Sequence, residues 1–179
     1  RCKGFFYQID FHLPDGSGIL FAHVSIWNTF DRPAPIYWWT NTAVEENRNV
    51  RVFSSTREVI YLKPRASGAQ TEHGFSHGKI PYLDTLDGAD ASYPENLPYS
   101  NEYFFQNSDD INDTWEAAVY HDGAAFWERS TPLLRYRKMF CWGNGQGGRH
   151  WQEFLSKKGS EGYLEIQAGL SPTQVHGRD

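Results

Sequence analysis

The segment YLEIQAG carries a carboxylate in a strand-like alternation. Tyr163, Glu165 and Gln167 fall on one face, and Leu164, Ile166 and Ala168 on the other. A polar row backed by an apolar row is a half-buried strand, and its polar face meets either plain solvent or a cleft. Further polar groups stand nearby in the chain: Gln174 and His176 in TQVH, Glu128 and Arg129 in ERS, and Arg149, His150 and Glu153 in RHWQE. Singly, each is an ordinary solvated surface group. Together with Trp142, Asn144 and Trp151 they make the lining expected of a polyol pocket. Sugars bind in such places because their C–H faces stack on rings while their hydroxyls take hydrogen bonds.

The aromatic content points the same way. It is 16% on a chain of 179 residues, alongside 22% charged residues. So many rings on a polar chain implies aromatic surfaces that meet water or a polar ligand. The run IYWWTNTAV, read as a strand over 36–44, sets Trp38, Thr40 and Thr42 on one face and Tyr37, Trp39 and Asn41 on the other. At most one of the two tryptophans can therefore be a platform. Trp39, beside an amide, suits a sugar, and Trp38 suits the core.

Other chemistries find little support. His73 and His77 are spaced i, i+4, but flanking glycines argue against a helix there. HExxH and paired cysteines are absent, so no metal and no cofactor are expected. GNGQGG lacks both the dinucleotide-binding register and the phosphate-loop lysine, and no GxSxG occurs. A net charge of −5 and scattered basic residues exclude a nucleic-acid footprint. In LLRYRKMF, alternation places Arg135, Arg137 and Met139 on one side of a strand and Tyr136, Lys138 and Phe140 on the other. Cys2 and Cys141 make no disulfide framework, and Cys141 is expected as a buried free thiol. There is no signal peptide and no run long and apolar enough to span a membrane, so no membrane partner is expected. The chain begins at Arg1 and is read as a piece of a longer protein, with the cytoplasm the favoured location.

These residues need strands to position them. Residues 5–13 and 19–28 read as a hairpin around PDGSG. A strand over 36–44 is followed by VRVFSSTREVIYL, two short strands or one bent one. WEAAVYH and AAFWERS form a hairpin on a two-residue Asp-Gly turn. LLRYRKMFCWG and GYLEIQAGL are further strands, and RHWQEFLSK is a short helix or turn. Residues 63–106 lack periodicity and read as a long ordered loop, a candidate lid. The expectation is one mostly antiparallel all-β domain over 1–179.

PIYWWTNTAV, NEYFF, ERSTPLLRYRKMFCWGNGQGGRHWQEFL and GYLEIQAGLSPTQ resemble an uncharacterised bacterial family of galactose-mutarotase-like domains, often followed by tetratricopeptide repeats. The similarity covers most of the chain apart from the loop 63–100. It implies an antiparallel β-supersandwich with a sugar site on the concave face of one sheet. It also implies Glu165 as general base and His150 as general acid at an anomeric centre, with Trp39, Asn41, Trp142 and Arg149 positioning the sugar. The chain departs from aldose epimerases at YWWTN, where they carry a histidine. At 179 residues it is also short for a full supersandwich, so an exposed sheet edge is open to strand addition or homo-oligomer formation.

The functional expectation is thus a domain that binds a mono- or oligosaccharide. Its acid/base chemistry, if any, is epimerase-like, or hydrolase-like with Glu165 paired to Glu128 or Glu153. The alternatives are a recognition module without catalysis and an interaction scaffold. The enzyme requires Glu165 in a pocket within reach of a histidine or a second carboxylate.

Overall fold

The structure is a computed structural model and describes residues 4–63, 74–108, 110–157 and 161–174. The chain forms two compact units, Arg1–Tyr37 and Trp38–Asp179. The first holds a hairpin of β1 (Phe5–His12) and β2 (Phe21–Asn28), with Phe5 opposite Asn28 and His12 opposite Phe21. Its turn closes where Ser17 N–H donates to the Pro14 carbonyl. Alternation gathers Tyr7, Ile9 and Phe11 with Ala22, Val24 and Ile26 on one side of the ribbon.

The second unit is an antiparallel sandwich. One sheet has six strands in the order β3 (Thr42–Glu46), β11 (Gly162–Gly169), β10 (Tyr136–Cys141), β7 (Asn101–Phe105), β5 (Glu58–Leu62) and β6 (Phe75–Lys79). The other has β4 (Arg51–Ser54), β8 (Trp115–Val119) and β9 (Ala125–Arg129). The chain leaves β4 and enters β5 through Ser55–Arg57, so VRVFSSTREVIYL is two strands in two sheets. Ser55 holds the crossing, with its N–H on the Trp115 carbonyl and its hydroxyl on Asn107. The inner faces bury Val52 and Ala118 against Leu164, Ile166, Met139 and Cys141. Cys141 is a buried free thiol, while Cys2 and His176 lie outside the described residues.

Two expectations need correction here. Residues 63–106 are not one long loop, since β6 and β7 lie within them and β7 is interior to the six-stranded sheet. Gly78 made β6 look like a break. In the fold a Cβ there would stand 2.7 Å from the Leu83 side chain, so glycine is what fits. The connection after β6 is no lid, because Ile80, Leu83 and Leu97 carry it into the core. The β8–β9 turn is also longer than two residues. Tyr120 N–H donates to the Ala124 carbonyl around His121, Asp122 and Gly123, with Gly123 at φ +90°. That is the three-residue loop in which a glycine takes the left-handed position.

One charged cluster is sealed inside the sandwich. Arg137 has no exposed side-chain surface and donates to the Thr114 and Leu134 carbonyls and the Ser130 hydroxyl at 2.6, 3.0 and 2.6 Å. Its guanidinium stands 3.9 Å from Glu128. Glu116 is fully buried beside them, and neither of its carboxylate oxygens has a hydrogen-bond partner among the described residues. Burial, followed by the nearby Glu128 charge, raises the Glu116 carboxyl well above its ordinary value, with Arg137 opposing. Burial raises Glu128 as well.

Arg137→Met leaves buried carboxylates without a cation and strands three acceptors. It is expected to lower the unfolding free energy by about 3–5 kcal/mol, as when one partner of a buried pair is removed. Glu116→Gln puts a neutral amide where burial already disfavours the charged carboxyl and is expected to be neutral or stabilising. Urea unfolding midpoints of the two variants at neutral pH check both. Equal losses would contradict this assignment.

Candidate functional site

The polar face of β11 lies on the side of the six-stranded sheet away from the core. Cross-strand register aligns Glu102 (β7), Phe140 (β10), Glu165 (β11) and Ala43 (β3) in one row. The next row runs Ile60, Phe104, Lys138 and Gln167. Before β3 the chain already follows β11. Trp39 bridges Gly169 in the same register that sets Thr42 opposite Ile166, and Thr40 N–H donates to the Ala168 carbonyl. The regular strand is shorter than the 36–44 expected, yet the alternation holds. Trp39 and Asn41 therefore fall on the Glu165 face. Gly169 leaves room for the indole, since a Cβ there would sit 2.3 Å from the Trp39 ring.

These rows enclose an open cavity of 390 Å³. Trp39, Asn41, Trp142, Glu165, Gln167 and Gln174 line it, joined by Thr40, Glu102, Lys138 and Phe140. Asn41 Nδ2 and Gln167 Nε2 both donate to Glu165 Oε2, at 3.0 and 2.8 Å. Phe140 and Trp142 meet edge to face at 4.8 Å, and Trp142 meets Tyr163 at 5.9 Å. Burial, with the Glu165 charge second, holds the Tyr163 phenol above its ordinary value. The arrangement offers rings, amides and carboxylates to one small volume, which suits a polyhydroxylated ligand.

Lys138 organises one side. Its side chain is 2% exposed, and its ammonium donates to Glu102 Oε1 at 2.7 Å and to Gln174 Oε1. It also lies 5.5 Å from the Trp39 and Phe104 ring centroids. Lys138, Glu102 and Phe140 were missed as site residues in the sequence. Their alternation was readable, but which strands lie beside β11 was not.

Four of the expected site residues stand elsewhere, in or beside α1 (Gln146–Leu155). Gly148 packs the first turn so closely that a Cβ would be 2.1 Å from the Trp142 and Gly143 carbonyl oxygens. One turn on, Gln152 donates to Glu46 Oε2 at 2.8 Å and lies against Gly162. Gly148 and Gln152 thus mark the inner face of the helix. His150, two residues from Gln152, is rotated about 200° away from that face and is exposed. Arg149 and Trp151 are exposed too. Asn144 caps the connection instead, through its N–H to the Leu97 carbonyl and its side chain to the Glu95 carbonyl. None of these four lines the cavity. Nor do the other carboxylates considered, since Glu128 is in the buried cluster and Glu153 is exposed on α1. His77 is exposed on β6, and His73 lies outside the described residues. No group of three or more metal-ligating side chains occurs among the described residues.

No family model matches the chain, and no curated protein matches it. Among solved structures it is similar to a TPR-domain containing protein from Parabacteroides distasonis, with a TM-score of 0.70 at 18% identity. That match covers 96% of this chain and 27% of the other, so the chain spans about a quarter of that protein's length. The likeness is one of fold.

Burial raises the Glu46 carboxyl from 4.5 to about 7, against the lowering effect of the Gln152 amide. A carboxyl raised in the folded state contributes stability that is present below its unfolded value and lost as pH rises through the folded one. Stability is therefore expected to fall between about pH 4.5 and about pH 7, with Glu116 and Glu128 acting in the same direction. Glu46→Gln should flatten that fall. Urea midpoints of parent and variant across the range check it, and an unchanged slope would contradict it.

Proposed function

We propose that the Trp38–Asp179 unit is a carbohydrate-binding domain of galactose-mutarotase-like type, which takes a mono- or oligosaccharide in the cavity between Trp39, Trp142 and Glu165. One observation carries this reading. Residues from five separate segments bring two indoles, a phenyl ring, three side-chain amides and two carboxylates around one 390 Å³ space. The lining is mostly polar, with three rings set among seven polar or charged side chains, and rings beside amides are what sugar faces and hydroxyls require.

Recognition without catalysis fits the geometry better than epimerase chemistry. Proton transfer at an anomeric centre needs an acid and a base in reach of the same substrate. Glu165 faces the cavity, whereas His150 lies on the outer side of α1. A hydrolase reading rests on a different pair. Glu102 and Glu165 flank Phe140 in one row, roughly two strand spacings or about 10 Å apart in backbone. Against it stands Lys138, whose ammonium already holds Glu102 Oε1 at 2.7 Å and keeps that oxygen from a leaving group. The likeness to a TPR-domain containing protein supports a place for this domain beside helical repeats, where sugar recognition would be one part of a larger protein.

Saturation-transfer NMR and titration calorimetry against hexoses and short oligosaccharides test the reading. Trp39→Ala is expected to weaken binding about tenfold in a sample whose near-UV spectrum stays folded. The recognition reading expects binding without anomer exchange or bond cleavage. Turnover that both Glu165→Gln and Glu102→Gln abolish would establish the hydrolase instead. A folded parent that binds no sugar would overturn both.

A further inference from the structure

We infer, resting on the sugar-site reading above, that the cavity prefers a cationic amino sugar to a neutral hexose and a neutral hexose to a uronic acid, with Glu165 receiving the ammonium. Three charged side chains line the space: Glu102, Glu165 and Lys138. Lys138 is already committed. Its ammonium bonds Glu102 and Gln174, lies near two rings, and is almost fully buried. It is a structural cation and offers little to an incoming carboxylate, and Glu102 is neutralised with it.

Glu165 differs. Its side-chain partners, Asn41 and Gln167, are neutral amides, and both donate to Oε2 and not to Oε1. The negative charge in excess in the cavity is therefore that of Glu165, and it is set among Trp39, Phe140 and Trp142. An ammonium brought here meets a carboxylate and the negative faces of aromatic rings together. A carboxylate brought here meets repulsion and loses water, and the cation among the described lining residues, Lys138, is already paired with Glu102. A hydroxyl meets the amides and suffers neither effect.

Calorimetry on the folded chain at low salt and about pH 6.5, where a sugar amine is protonated, tests the ordering. The probes are glucosamine, galactosamine, their parent hexoses and the matching uronic acids. Amino sugars are expected to bind about fivefold tighter than the parent hexoses, the scale of one partly screened ion pair, and uronic acids weaker than the hexoses by at least as much. Raising NaCl to about 0.5 M should shrink the amino-to-neutral ratio. Glu165→Gln should bring that ratio close to one, and a ratio within one protein cancels any general loss of affinity. Should the variant fail to fold, the salt dependence of the parent still decides. Uronic acids binding as tightly as hexoses, or amino sugars no tighter, would overturn the inference and leave the sugar site standing. No binding by any probe to a folded parent would overturn the site itself.

Discussion

Lys138 is a cation almost without water, and the site is arranged around it. A buried ammonium is tolerated only where a counter-charge and further acceptors replace its hydration. Here Glu102 comes from the neighbouring strand β7, Gln174 from the segment after β11, and ring faces from Trp39 and Phe104. Satisfying one charge thus draws three stretches of chain, distant in sequence, to one place on the sheet. Gln106 Nε2 on the Pro172 carbonyl and Trp39 Nε1 on Ser171 Oγ fasten the same segment down. The cavity is what remains between this fastened edge and the row Glu102, Phe140, Glu165.

Strand β10 has charge on both of its faces, and the two are handled alike. Its inward residue Arg137 is answered by Glu116, Glu128 and backbone carbonyls inside the sandwich. Its outward residue Lys138 is answered in the site. A strand that buries both of its charged residues, Arg137 and Lys138, would be disfavoured without these partners. They also restrict register, since a slip of one residue would send Arg137 to the site and Lys138 to the core. The same strand that closes the core therefore fixes the geometry of the cavity face.

Much of this was legible in the sequence where alternation is regular. The faces of β11 and β10 follow from spacing alone, as does the place of Trp39 on the Glu165 face, and six of the ten expected site residues line one cavity, while Trp38 is half-buried and not part of the core cluster. The misses have physical causes. The residues around His150 were read without a fixed helical phase, and that phase is set by Gly148 and Gln152 packing on Trp142 and Glu46. Strands β6 and β7 are five residues each, amid glycine and proline, and are stabilised by neighbours far along the chain. Lys138 and Glu102 are thirty-six residues apart, and only sheet order makes them a pair.

The measurement that meets the central claim most directly is residue-resolved NMR of the tryptophan side chains during a sugar titration. The indole N–H signals of Trp39 and Trp142 are expected to shift together and saturate with one affinity. Those of Trp127 and Trp151, exposed and away from the cavity lining, should stay in place. Shifts confined to Trp127 or Trp151, or none at all in a folded sample, would contradict a binding site on the open face of the six-stranded sheet.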